Sequence, residues 1–146
     1  MVKNEFEPRP AQLLLVDDNV DNLEVLAVIL SQKYQVFSCR SAHEALAALD
    51  AVDPEIIMLD IGMSPVDGIE CLRAIRARPA YARTPAIAVT AYAREPERRA
   101  CRDAGFEAVV TKPILDYVEL EVLIDTLLER RRAVAEPGPD RFAPTG

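Results

Sequence analysis

The 146-residue chain has no tryptophan, one histidine, three cysteines and five glycines, and these shortages narrow what it can be. Cys39, Cys71 and Cys101 are odd in number and widely spaced, with no C-x-x-C pair. That pattern indicates neither a disulfide framework nor a zinc knuckle, and reads as a reduced, cytosolic setting. The lone His43 falls in the first turn of a helix with no Ser or Cys marked out as its partner, so it reads as a surface residue. No apolar run approaches the ~20 residues of a membrane span, and the start, MVKNEFEPRP, lacks the apolar core of a signal peptide. Basic residues are also short, 17 Lys and Arg against 24 Asp and Glu, for a formal net charge of −7. A nucleic-acid surface needs clustered cations, so none is expected. The one basic run, Arg130 to Arg132, reads as a helix C-terminus interacting favourably with the helix dipole. A soluble cytoplasmic protein without nucleic-acid or membrane partners is the expectation that remains.

What is present is ordinary globular material: half the residues are hydrophobic and 28% are charged. That suits one domain with a substantial core. Residues 1–11, with Pro8 and Pro10, read as an extended lead-in. Residues 12–132 form the domain, and 133–146, with Pro137, Gly138, Pro139 and Pro144, read as a disordered tail.

The central stretch is Glu55 to Gly62, EIIMLDIG. Its four unbroken apolar residues suit a strand buried on both faces, and it delivers Asp60 at its end. Gln12 to Val16 is a similar strand ending at Asp17-Asp18. Gln35 to Ser38, Ala86 to Thr90 and Ala108 to Val110 are the other strands, the last leading into Thr111-Lys112-Pro113. Between them lie helices. Asn19 to Ser31 carries Val20, Leu23, Leu26, Ala27 and Leu30 as a core stripe. Val25, Val28 and Ile29 lie off that stripe, as cover for a neighbouring helix or as a docking surface. Ser41 and Glu44 have capping-box spacing ahead of Ala45, Leu46 and Leu49. Ile69, Leu72 and Ile75 face inward in a helix ended by Pro79. A weak helix runs from Pro96 to Ala104 with Gly105 as its C-terminal cap. The last helix, Asp116 to Arg132, presents Tyr117, Leu120, Leu123, Ile124, Leu127 and Leu128.

Strand and helix alternate five times, with no two-residue hairpin. Right-handed crossovers then give an α/β fold, a doubly wound five-stranded parallel sheet of the flavodoxin-like kind with five helices. Ligands bind such sheets at the carboxyl ends of the strands, where Asp17, Asp18, Asp60, Thr90 and Lys112 all fall. Each acid taken alone could merely cap a following helix, as Asp18 or Asn19 would. Three converging carboxylates instead call for a hard cation, for which Mg²⁺ is the natural candidate. One lysine and one hydroxyl are left to hold a phosphoryl group.

The ordered set LLLVDDN, IIMLDIG, Asp67-Gly68, AVTAYA and VVTKPI resembles the receiver domain of two-component response regulators over Gln12 to Leu128. The strand order 2-1-3-4-5 comes with that resemblance and not from the sequence. The resemblance implies that Asp60 takes a phosphoryl group from a phosphohistidine on a histidine kinase or histidine phosphotransfer protein. It implies Mg²⁺ or Mn²⁺ on Asp17, Asp18, Asp60 and the backbone carbonyl of Gly62. Lys112 would pair with Asp60 and then with the phosphate, Thr90 and the Ala91 backbone would hold phosphate oxygens, and the peptide before Pro113 would be cis. The phosphorylated state would switch binding to a downstream protein, and the chain would catalyse only its own phosphorylation and dephosphorylation.

The sequence departs from the family pattern at two places. The proline common four residues after the phosphoacceptor is replaced by Ser64, with Pro65 following, which leaves the path of that loop open. The aromatic residue common three before the lysine is Val109, too small and stiff to act as an aromatic switch. Tyr92 is the nearest aromatic to Thr90 that could take over, or else it shields the site from water. Partner docking falls to Val25 and Ile29. A competing reading is a hydrolase of the haloacid-dehalogenase type. It would place a second Asp two residues after the nucleophile, where this chain has Gly62, and a substrate-covering domain that is not evident. A receiver-like module without phosphorylation fits the complete acidic set poorly. The chain reads as a stand-alone receiver, or as a piece of a hybrid kinase.

Overall fold

The computed structural model describes residues 9–135. Its strands are β1 (Gln12–Val16), β2 (Gln35–Cys39), β3 (Ile56–Asp60), β4 (Ala86–Thr90) and β5 (Ala108–Thr111). Its helices are α1 (Val20–Leu30), α2 (Ala42–Ala48), α3 (Gly68–Arg76), α4 (Glu95–Ala104) and α5 (Tyr117–Ala135). All strand pairs are parallel, in the order β2-β1-β3-β4-β5. The unbroken apolar runs are explained by position, since every residue of β3 and of β4 is buried.

The two-residue period of a strand sorts these side chains into two cores. Leu14, Val16, Ile57, Leu59, Ala86 and Ala88 pack on one face against α2, α3 and Cys101 of α4. Leu13, Leu15, Ile56, Met58, Ile87 and Val89 pack on the other, against Leu23, Leu26 and Leu30 of α1 and Leu120, Ile124, Leu127 and Leu128 of α5. Register fixes the sorting, because Leu14 stands beside Ile57 and Ile57 beside Ala86.

Most helices begin where a side chain satisfies a free amide. The Asn22 and Glu44 amides donate to Asn19 Oδ1 and Ser41 Oγ at 3.0 and 3.1 Å, and Asp67 and Glu70 form a reciprocal capping box. At α2 the reciprocity fails, because Glu44 accepts from the Arg40 amide at 2.8 Å instead of that of Ser41. No side chain caps α4, which ends on Gly105 at φ 107°.

The stripes need three amendments. Val20 is 42% exposed, because it opens α1 beyond the reach of the core. Cys71, not foreseen as inward, is fully buried in α3 while Ile69 is half-buried. Strand β2 extends to Cys39, and β5 to Thr111. The expected lead-in falls outside the described residues except for Arg9 to Ala11, where Ala11 is buried and its carbonyl accepts from the Gln35 amide at 2.9 Å. The tail expected from residue 133 begins as helix instead, since α5 continues through Ala135. The rest of it lies outside the described residues.

Arg76 ties the lower edge together. Its guanidinium donates to the Tyr81 and Gly105 carbonyls, each at 3.0 Å, and to that of Thr84, and it pairs with Glu107 at 3.6 Å. The group thereby joins α3, the 3-10 turn Pro79–Tyr81, the entry to β4 and the end of α4. Arg76→Met removes the donor to three carbonyls and should cost about 2–3 kcal/mol in urea unfolding. Arg76→Lys should recover only part of that, because an ammonium cannot span the same fork. A loss in Arg76→Met no larger than that of a neutral surface change would refute the staple.

Candidate functional site

Strand order brings the distant acids together. Asp17 and Asp18 follow β1, Asp60 ends its neighbour β3, Thr90 ends β4, and Lys112 follows β5. One carboxylate oxygen from each of Asp17, Asp18 and Asp60 lies within 4.8 Å of the others. Asp17 and Asp60 are buried, at 6% and 7% exposure, and Asp18 is exposed. Lys112 Nζ sits between the buried pair, 3.1 Å from Asp17 Oδ2 and 3.2 Å from Asp60 Oδ2. The expected pairing with Asp60 is present, and Asp17 is a second partner.

Main-chain amides complete the arrangement. Asn19 donates to Asp17 Oδ1 at 2.9 Å, Gly62 to Asp60 Oδ1 at 3.0 Å and Ser64 to Asp18 Oδ2 at 3.4 Å. The last bond comes from the loop that departs from the family pattern. The Ser64-Pro65 peptide is cis, as is Lys112-Pro113. The loop returns tightly, because the Gly68 amide donates to the Ile61 carbonyl at 3.2 Å. A Cβ at Gly68 would stand 2.6 Å from the Asp60 backbone oxygen, so a larger residue there would displace the end of β3.

The electrostatics follow from burial. Desolvation, and then the charge of Asp60, raise the Asp17 carboxyl above its ordinary value against the Asn19 amide and Lys112. Burial alone would lower the Lys112 ammonium, but its bonds to Asp17 and Asp60 outweigh that and raise it. The donors are all oxygen and mostly anionic, the set a hard divalent cation takes. The resident residues therefore fit Mg²⁺ or Mn²⁺.

A cleft of about 400 Å³ opens from this cluster, lined by Asp17, Asp60, Ala91 and Lys112 on one side and by Val25, Ile114 and Tyr117 on the other. Thr90 is 6% exposed. Its hydroxyl accepts from the Tyr92 amide at 3.0 Å and donates to the Tyr92 carbonyl at 3.2 Å. Tyr92 itself is 70% exposed, and Val109 is half-buried against the α2–α3 core. Of the docking candidates, Val25 is 54% exposed and borders the cleft, while Ile29 is half-buried and not on its lining. The amides of Asn19 and Ser64 were missed from the sequence, because an amide's service to a side chain leaves no residue-type signal.

Ionised Asp17 costs the metal-free protein stability. Its folded-state value is raised, so stability falls as pH climbs from the ordinary carboxylate range through that raised value. Asp17→Asn keeps an oxygen for the Asn19 amide and leaves Lys112 its Asp60 partner. Thermal melting at neutral pH in chelator should show the variant several degrees more stable than wild type. An equal or lower midpoint would mean that the Lys112 pair outweighs burial and repulsion.

Comparison with known proteins bears on this geometry. Residues 13–125 match the family model described as the response regulator receiver domain. The chain is 34% identical over 103 residues to the signal transduction histidine-protein kinase BarA of Escherichia coli K12, covering 70% of this chain and 11% of that protein. It is 30% identical over 106 residues to the polar-differentiation response regulator DivK of Brucella anthropi, covering 72% of this chain and 86% of that one. The receiver domain of the sensor histidine kinase PA1611 from Pseudomonas aeruginosa PAO1 superposes with a TM-score of 0.74 at 29% identity, covering 82% of this chain and 98% of that one. That structure holds a magnesium ion in its active-site cleft. With the five-stranded order β2-β1-β3-β4-β5 and the acid cluster at its carboxyl edge, this chain belongs to the response regulator receiver domain family.

Proposed function

We propose that the protein is a phosphoacceptor of a two-component or phosphorelay system, with Asp60 as the site. The observation that carries this reading is the buried Asp60 carboxylate held from two sides, by the Gly62 amide on Oδ1 and by Lys112 on Oδ2. An Asp60 oxygen forms a bond to phosphorus as the P–N bond to the donor's imidazole breaks. The imidazole leaves with that bond's electron pair, neutral when its other ring nitrogen carries a proton. A loose phosphoryl-transfer transition state asks mainly for positioning and charge neutralisation. Lys112 supplies part of both, exchanging its carboxylate partners for a phosphate oxygen. A Mg²⁺ or Mn²⁺ ion on Asp17, Asp18, Asp60 and the Gly62 carbonyl would neutralise the charge that otherwise repels an anionic donor. The chain performs only its own phosphorylation and dephosphorylation, and works in the cytoplasm.

The donor is the histidine of a kinase or of a phosphotransfer protein. BarA, named as a histidine kinase, and DivK, named as a response regulator, support this class of partner. Val25 and Ile29 on α1 provide the apolar contact that aligns it beside the cleft. The downstream target is a protein that distinguishes the two states.

Labelling with acetyl phosphate, mapped by mass, should require a divalent cation and vanish in Asp60→Asn. Equal labelling in excess chelator, or full labelling of Asp60→Asn, would overturn the assignment. Val25→Glu should slow transfer from a phosphorylated histidine protein by about tenfold or more, the cost of a charge set against an apolar contact, and leave acetyl phosphate labelling unchanged. Slowing of both donors alike, or of neither, would make Val25 a packing residue.

Readout passes through Thr90. Its hydroxyl must give up both bonds to the Tyr92 backbone before it can serve a phosphate oxygen. Activation therefore moves residues 90–96, with Tyr92, while Val109 stays in place. NMR of the free and beryllofluoride-bound protein should show the largest changes in residues 90–96. Changes confined to β5 around Val109 would refute this route.

A further inference from the structure

At the opposite end of the sheet from Asp60, the entry to β4 and the late turns of α5 border a second cleft of about 560 Å³. Arg83, Arg130 and Arg131 line it, and their side chains make no hydrogen bond or ion pair among the described residues. Their neighbour Arg132, by contrast, pairs with Glu55 at 3.6 Å. The basic run lies at the C-terminal end of α5, with Arg132 in its last turn as expected, and Arg130 and Arg131 also face this cleft. Three uncommitted guanidiniums on one cleft are unusual in a chain of net charge −7.

A second observation is independent of charge. Thr84 lines the same cleft at 2% exposure, and its Oγ1 is the one buried side-chain polar atom among the described residues with no hydrogen-bond partner. Its backbone carbonyl is already taken by Arg76. Buried hydroxyls are normally satisfied, and this one, covered by protein in the open cleft, gains a partner only if the side chain turns toward a ligand there. The one carboxylate on the lining, Glu107, is committed, accepting from the Ala86 amide at 2.8 Å and pairing with Arg76 at 3.6 Å. The uncompensated chemistry is therefore three guanidinium forks and one hydroxyl, facing an apolar wall of Pro79, Pro85 and Leu127.

Guanidinium forks match phosphate oxygens in pairs, and the volume falls within the range of small-molecule sites. We propose that this cleft binds an organic phosphate of mononucleotide size. The phosphate sits among Arg83, Arg130 and Arg131, the ligand's body lies against Pro79, Pro85 and Leu127, and the Thr84 side chain turns its hydroxyl out of its buried position to donate to the ligand. Five residues of β4 separate Thr84-Pro85 from the Thr90 end, about 16 Å at strand rise. The site is thus distinct from the Asp60 cleft, and does not depend on what Asp60 does.

The test is an NMR amide titration of the full chain with AMP, in chelator and on an Asp60→Asn background so that the acidic site is silent. Inorganic phosphate is the second titrant. Expected are saturable shifts at residues 84, 86, 107 and 127–131, with inorganic phosphate competing for them. The dissociation constant should rise about tenfold or more in the Arg83→Gln, Arg130→Gln double variant, and a smaller amount in Thr84→Val. Arg83 and Arg130 are exposed, so an unchanged melting curve will show that the double variant is folded. No saturable shift by about 1 mM AMP, the weak end of specific affinity, would overturn the proposal. So would shifts away from this cleft, insensitivity to the arginine pair, or AMP binding that phosphate does not displace.

Discussion

The rest of the structure answers to one electrostatic constraint: two buried carboxylates, Asp17 and Asp60, stand at the ends of adjacent strands with a third, Asp18, within 4.8 Å. Left alone they would repel and favour protonation. Lys112 is the resident answer, and it must come from β5, two strands from β3. Neighbouring strands lie about 4.8 Å apart, so the gap approaches 10 Å. Only a long side chain bridges it. Ala91, beyond the end of the intervening strand, lines the same cleft and leaves room there. An arginine would reach as far, but its flat fork would fix one carboxylate, whereas an ammonium can share itself between two.

The loops serve the same constraint. Each acid receives one main-chain amide, from Asn19, Gly62 and Ser64 respectively, which lowers the cost of charge without using another cation. The Gly68 position holds the return of the loop against the Asp60 backbone, where a Cβ would be 2.6 Å away. Asp67 then caps α3 and fixes where the loop must end. With these endpoints set, the loop reaches Asp18 despite carrying its proline one residue late.

Much of this was legible beforehand because burial writes itself into sequence. IIMLD and AIAVT are buried at every position and read as central strands, and the polar residues ending them named the site. What stayed hidden was geometry that residue type does not encode. Lys112 shares Asp17 with Asp60, which depends on how two strands splay. Val20 fits the α1 stripe by period but lies at the helix end beyond the core, and Ile29 looks free by period yet is half-covered. The end of α5 was set three residues short, because Ala133-Val134-Ala135 continues a helix as readily as it starts a tail. That Arg130 and Arg131 share a cleft with Thr84 was hidden too, because the two segments are far apart in sequence.

Stability is unevenly spread around the sheet, and the unevenness bears on signalling. Helices α1 and α5 each bury three or more large side chains, and α3 buries Cys71, Leu72 and Ile75. Helix α4 buries only Cys101 and lacks a side-chain cap, and its ion pairs, Arg94 with Glu97 and Arg102 with Glu95, are internal to the helix and its cap, leaving Arg76 on the Gly105 carbonyl as a tie at its far end. Such pairs contribute little each. The turn feeding α4 is held by the Thr90 hydroxyl, whose two bonds both go to Tyr92. Under the proposed role, the one side chain that must turn toward a phosphate is also the clasp of the least anchored element. Releasing it therefore costs two part-buried bonds, both to the backbone of one loop residue. A displacement starting there has a low-energy path outward through α4, whereas one directed into β5 would have to repack Val109 against the α2–α3 core.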